Sequence, residues 1–108
     1  MPAPGPLVDA GVRVVIDGRF VLDETDLHRR LAGAFGYGPR HRLDLTSLRD
    51  RLAAGDPRPV QLTCINGSVL RMVLGNARFG EFVELLEKIE ALDQGKHWTE
   101  RFVLRMFE

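Results

Sequence analysis

At 108 residues, with 44% hydrophobic and 28% charged side chains, the chain has the size and makeup of one globular domain. A domain of this length removes roughly 60 to 70% of its unfolded surface from water, enough for a true core. Fifteen basic and fifteen acidic residues give a formal net charge of zero, which excludes a global field that would draw in nucleic acid. No apolar run approaches the ~20 residues of a membrane span.

In chain order, residues 1 to 10, beginning Met-Pro-Ala-Pro-Gly-Pro, show no positive region followed by an apolar stretch. They are expected to be a flexible tail, with one domain over residues 11 to 108. Val12 to Ile16 is a short β-branched run closed by Asp17-Gly18, the pattern of a buried strand ending in a turn. Asp23 to Ala34 is a helix, with Asp23 or Thr25 as N-cap, Leu27, Leu31 and Ala34 on its apolar face, and Gly36 past its end. Residues 36 to 43 form a loop leading to Asp44, the N-cap of a second helix that carries Leu45, Leu48 and Leu52 inward and stops near Gly55.

Arg58 to Ile65 alternates, with Val60, Leu62 and Cys64 on one side, and is a second strand ending in an Asn66-Gly67 turn. Val69 to Leu74 is a short helix stopped by Gly75. Asn76 caps a longer one to about Leu92, whose core stripe is Phe79, Phe82, Val83, Leu86 and Ile89. Gly95 ends it. Phe102 to Phe107 is a last, mostly apolar strand, as expected if both its faces are covered. The order β-α-α-β-α-α-β favours an α/β fold, a three-stranded parallel sheet joined by right-handed crossovers with helices packed on it.

The residues offer no catalytic constellation. His28, His41 and His97 are not at metal-ligand spacing with one another, and Cys64 has no second cysteine, so no metal and no cofactor are expected. His28 lies between Leu27 and Leu31 and takes a structural or surface role. Cys64 is a small buried side chain, and Trp98 a lid on the core. Gly33, Gly36 and Gly38 end a helix and fill a loop, so they are not a phosphate-binding loop. Glu81, Glu84, Glu87 and Glu90 are expected on a solvated helix face. A lone cysteine and the absence of an export signal point to a reducing cytoplasm.

The stretches Val14-Val15-Ile16-Asp17-Gly18, Thr25-Asp26-Leu27-His28-Arg29-Arg30-Leu31, Asp50-Arg51-Leu52, Pro59 to Cys64, Leu74-Gly75, Phe79 to Leu86 and Arg101 to Phe107 resemble, in the same order, the barstar family of intracellular ribonuclease inhibitors. Each motif is short, and the specificity lies in their colinearity over nearly all of residues 12 to 107. The resemblance implies a protein that is not an enzyme and is a monomer when free. It binds neither nucleic acid nor membrane, and its second helix and preceding loop plug a secreted ribonuclease or related toxin.

The family stretch reads Tyr-Tyr-Gly-x-Asn-Leu-Asp-Ala-Leu-x-Asp-x-Leu. Against it, Leu45, Leu48, Asp50 and Leu52 match, and Asp44 takes the asparagine position. Arg40 and His41 stand at the two tyrosines, Arg42 at the glycine, Thr46 at the first aspartate and Ser47 at the alanine. The contact face implied by the resemblance is therefore Arg40, His41, Arg42, Asp44, Thr46, Ser47, Arg49 and Asp50. From Arg40 to Arg51 four arginines meet two aspartates, a local surplus that repels a basic nuclease cleft. Three expectations stay open: an inhibitor or immunity protein retuned to a different nuclease, a barstar-fold interaction module that has lost inhibition, and a small enzyme or nucleic-acid binder resting on Arg40-His41-Arg42.

Overall fold

The computed structural model describes residues 12–38, 40–55, 59–97 and 100–108. The expected tail over residues 1 to 10, the lid assigned to Trp98 and the strand start at Arg58 lie outside them. The elements are β1 (Val12–Asp17), a 3-10 turn (Gly18–Phe20), α1 (Glu24–Phe35), α2 (Leu45–Asp50) continuing as a π turn (Arg51–Gly55), β2 (Val60–Ile65), α3 (Gly67–Leu74), α4 (Asn76–Leu92) and β3 (Phe102–Met106). The fold is a compact α/β domain with one three-stranded parallel sheet in the order β1-β2-β3 and four helices packed on it.

Val12 pairs with Val60, Val60 with Phe102, and Ile16 with Cys64, so one row of apolar side chains runs straight across the sheet. Val14, Ile16, Val60, Leu62, Cys64 and Phe102 are buried on that side, together with Leu27 and Leu31 of α1, Leu48 of α2, Leu52 of the π turn, Leu70 of α3 and Phe82, Leu86 and Ile89 of α4. Cys64 lies on the central strand, where desolvation of the thiolate pushes its thiol up to about 11. The opposite face is wetter than expected. Arg13, Val15 and Arg105 are exposed and Val103 is half-buried, so β3 is not covered on both sides. The alternation of β2, with Gln61 and Thr63 between its buried residues, carried this signal, because an alternating strand buries only one face.

Several helix ends correct the sequence-based boundaries. Asp23, not Thr25, caps α1, its carboxylate accepting from the Asp26 N–H at 2.7 Å. The buried ridge of α1 runs through Leu27, His28 and Leu31, with half-buried Ala32 and Phe35, while Ala34 is exposed. Ala34 is only about 20° around the helix from Leu27, but it lies two turns further on, where it and Gly33 line an open cleft beside β1. Asn66 adopts the left-handed conformation at φ 54° and reverses the chain in a single residue, so α3 starts at Gly67 instead of Val69. Gly75, at φ 86°, both ends α3 and precedes α4, and Asn76 is the first helical residue, not the cap.

The outer edge of β3 is closed by carboxylates. The Phe102 N–H donates to buried Asp93 at 2.7 Å and the Leu104 N–H to Glu90 at 2.9 Å. Glu90 therefore serves the sheet and does not belong to a solvated face. At the end of the sheet, the Gly67 and Ser68 N–H groups that open α3 donate to the Phe107 and Glu108 carbonyls at 2.8 and 3.4 Å, tying the helix to the chain end.

Gly18 fixes how β1 meets α3. A Cβ there would lie 2.4 Å from the Asn66 carbonyl oxygen and 2.9 Å from the Leu70 backbone nitrogen. Backbone cannot yield as a side-chain tip can. Gly18→Ala is therefore expected to destabilise the fold by about 3 kcal/mol, read as a lower urea midpoint with unchanged m-value.

Candidate functional site

The loop after α1 is anchored by an aromatic residue that sequence periodicity does not reveal. Gly36, at φ 78°, closes α1 in the left-handed conformation, and the Tyr37 N–H then returns to the Ala32 carbonyl at 2.8 Å. This turns the Tyr37 ring inward. It stacks on Phe35 at 5.5 Å, meets the His41 ring at 4.6 Å and lies under the Arg51 guanidinium at 4.3 Å. The one available signal was the terminating glycine followed by an aromatic, since such helix ends often tuck an apolar residue back onto the last turn.

His41 and Arg51 are thus committed to holding Tyr37. Arg40 and Arg42 remain exposed beside them. Asp44 has the extended backbone of an N-cap, and its carboxylate accepts the Ser47 N–H at 2.8 Å. Ser47 therefore completes the cap and is half-buried. Its N–H and then its hydroxyl hold the Asp44 carboxyl below the usual carboxylate range, with Arg42 adding a smaller effect.

The rest of α2 separates into two faces. Leu48 and Leu52 are fully buried and Leu45 is half-buried, so the element is fixed to the core on one side. Thr46, Arg49 and Asp50 are exposed on the other, with Thr46 and Asp50 one turn apart. Among the described residues Asp50 meets its neighbour Arg49, at 3.4 Å, an exposed contact worth little. The structure thus joins Asp44 to Ser47 and Arg49 to Asp50, sets Arg40, Arg42 and Thr46 on the same exposed stretch, and turns His41 toward Tyr37. Beyond Arg49 a groove of about 690 Å³ opens between the π turn and α4, lined by Ala53, Leu85, Ile89 and Leu92 and rimmed by Glu81, Glu84 and Lys88.

His28 supports this region from α1. It is 2% exposed, and neither ring nitrogen has a hydrogen-bond partner among the described residues. Its Nε2 lies 3.7 Å from Glu24, too far for a hydrogen bond, and Glu24 is clamped in turn by Arg78. Among the described residues no group of three acidic, histidine or cysteine side chains is placed to hold a metal ion. No helix among them is long and apolar enough to cross a membrane. No family model matches the chain, and no curated protein matches it in sequence.

Burial pulls the His28 pKa below its ordinary 6.5, with Glu24 and Asp44 only partly opposing. The unfolded chain therefore takes up this proton at higher pH than the native one. The stabilising effect of a neutral His28 is complete above pH 6.5 and is lost as pH falls below it toward the native pKa. Denaturant midpoints should drop between about pH 7 and 5, and His28→Leu, which leaves no buried ring nitrogen, should remove most of that slope.

Proposed function

We propose that this chain is an intracellular, cytoplasmic protein inhibitor of the barstar type, which binds and blocks the active site of a ribonuclease or related toxin through α2 and the loop before it. The reading rests on the colinear resemblance. One observation carries it further: α2 is locked to the core by Leu48 and Leu52 and capped by Asp44, and so presents Thr46, Arg49 and Asp50 as a rigid projecting face. Asp50, exposed and in loose contact with Arg49, is the carboxylate available to a cationic pocket. On this reading the chain itself performs no catalysis and needs no metal or cofactor.

The exposed charge favours a second reading. Arg40, Arg42 and Arg49 surround the face, while the Asp44 carboxylate is engaged in its own cap, so the surface also suits an acidic partner. That is the interaction module that has kept the fold without nuclease inhibition.

Titration calorimetry, paired with an RNA-cleavage assay, separates the two. For a basic nuclease the chain should suppress cleavage at equal stoichiometry. Asp50→Ala should cost about 2 to 5 kcal/mol of binding, and Thr46→Asp should tighten it by restoring a second carboxylate. For an acidic partner the damaging changes become Arg40→Ala and Arg42→Ala, and Thr46→Asp weakens binding. Near wild-type affinity for all four variants would show that the partner uses a different surface.

A further inference from the structure

The two edges of the sheet are treated differently. In β3 the residues whose backbone points outward, Phe102 and Leu104, are bonded to Asp93 and Glu90. In β1 the Val12 N–H donates to the Pro59 carbonyl, so in this parallel ladder Val12, Val14 and Ile16 bond to β2. Arg13, Val15 and Asp17 turn their N–H and C=O groups outward. No described residue bonds the backbone of Arg13 or Val15, and the Val15 side chain is 64% exposed. Beside this edge lies a cleft of about 400 Å³ lined by Val15, Phe20, Arg30, Gly33 and Ala34. Gly33 and Ala34 place almost no side-chain bulk in the path of a second strand.

The outward residues are self-complementary. When two β1 strands run antiparallel about a two-fold axis through Val15, Arg13 of each copy stands directly opposite Asp17 of the other. Three residue pairs then face each other, giving roughly four new backbone hydrogen bonds, because the Asp17 carbonyl already accepts the first bond of the 3-10 turn that it caps. Slipping by two residues one way carries Arg13 past the strand end to Arg19 of the 3-10 turn, and the other way carries Asp17 beyond the described residues. Slipping by four sets arginine opposite arginine or aspartate opposite aspartate, which is unfavourable. The Asp17 carboxylate is held by Arg19 and Asn66, so Arg13 of the other copy would join an ion pair that already exists.

We propose that β1 is a homodimer edge: two copies join through antiparallel β1 strands in the register Arg13–Asp17, Val15–Val15, making one continuous six-stranded sheet. This surface is distinct from α2 and its loop and does not depend on the inhibitor reading. On this proposal the chain associates where the resemblance implies a free monomer.

Sedimentation of the full chain over a concentration series tests it. A monomer–dimer equilibrium is expected, weakened about tenfold by Arg13→Glu, which faces Asp17 of the other copy with a like charge while leaving the circular dichroism unchanged. Register is read by cross-linking. Val15→Cys puts two thiols opposite each other with Cα atoms about 5.5 Å apart and should form a disulfide dimer under mild oxidation. Arg13→Cys separates its thiols by about 14 Å and should not. A monomer at every concentration, as when residues 1–11 or an unrelated protein take the edge, overturns the proposal. So does a dimer indifferent to Arg13→Glu, or equal cross-linking of the two cysteine variants.

Discussion

The central strand governs this fold. β2 is hydrogen-bonded along both sides, and its Val60, Leu62 and Cys64 are fully buried, so it reaches a stable state only when β1 and β3 flank it and the helices cover its apolar row. Parallel pairing means that each neighbour can be reached only by a crossover, and the α1-α2 and α3-α4 pairs supply the two crossovers. The helices are therefore both the connections and the other half of the core. Their geometry follows from the sheet, down to the close passage of Gly18 against the start of α3.

The same dependence shapes the exposed α2 face. A helix of six residues has little stability of its own, and α2 persists because Leu48 and Leu52 are sunk into the common core and Asp44 satisfies its first N–H groups. Tyr37, wedged among Phe35, His41 and Arg51, fixes the other end of the loop. His41, which the resemblance sets on the contact face, is thereby partly consumed as packing together with Arg51. The charge offered outward comes from Arg40, Arg42, Arg49 and Asp50.

Much of this was legible in the residues because the signals were periodic and local. The alternation of Val60, Leu62 and Cys64, the leucine spacing from Leu45 to Leu52, and the stop at Gly75 each specify an element without knowledge of its neighbours. What escaped depended on tertiary geometry. Asn66-Gly67 reads as a turn, but one left-handed asparagine shortened it and let α3 begin at once. Glu90 resembles the other glutamates of α4 until β3 is placed beside it and supplies a backbone N–H. Tyr37 lacks a periodic partner, since a helix terminator, not a repeat, directs it inward. In the candidate site the capping role of Asp44 and the leucine scaffold could be read directly, whereas the packing of His41 and Arg51 on the Tyr37 ring could not.

Cys64 gives the chain an internal clock. Its thiol is sealed in the middle strand and held almost wholly protonated at neutral pH, so a water-soluble alkylating reagent meets no thiolate in the native state. Modification must wait for β2 to separate from its neighbours or from the helices above it. With reclosing fast compared with alkylation, the labelling rate reports the population of molecules in which the sheet has opened at its centre, and so the free energy of that opening under native conditions. A single sulfur atom thus converts the burial of the central strand into a number that needs no denaturant.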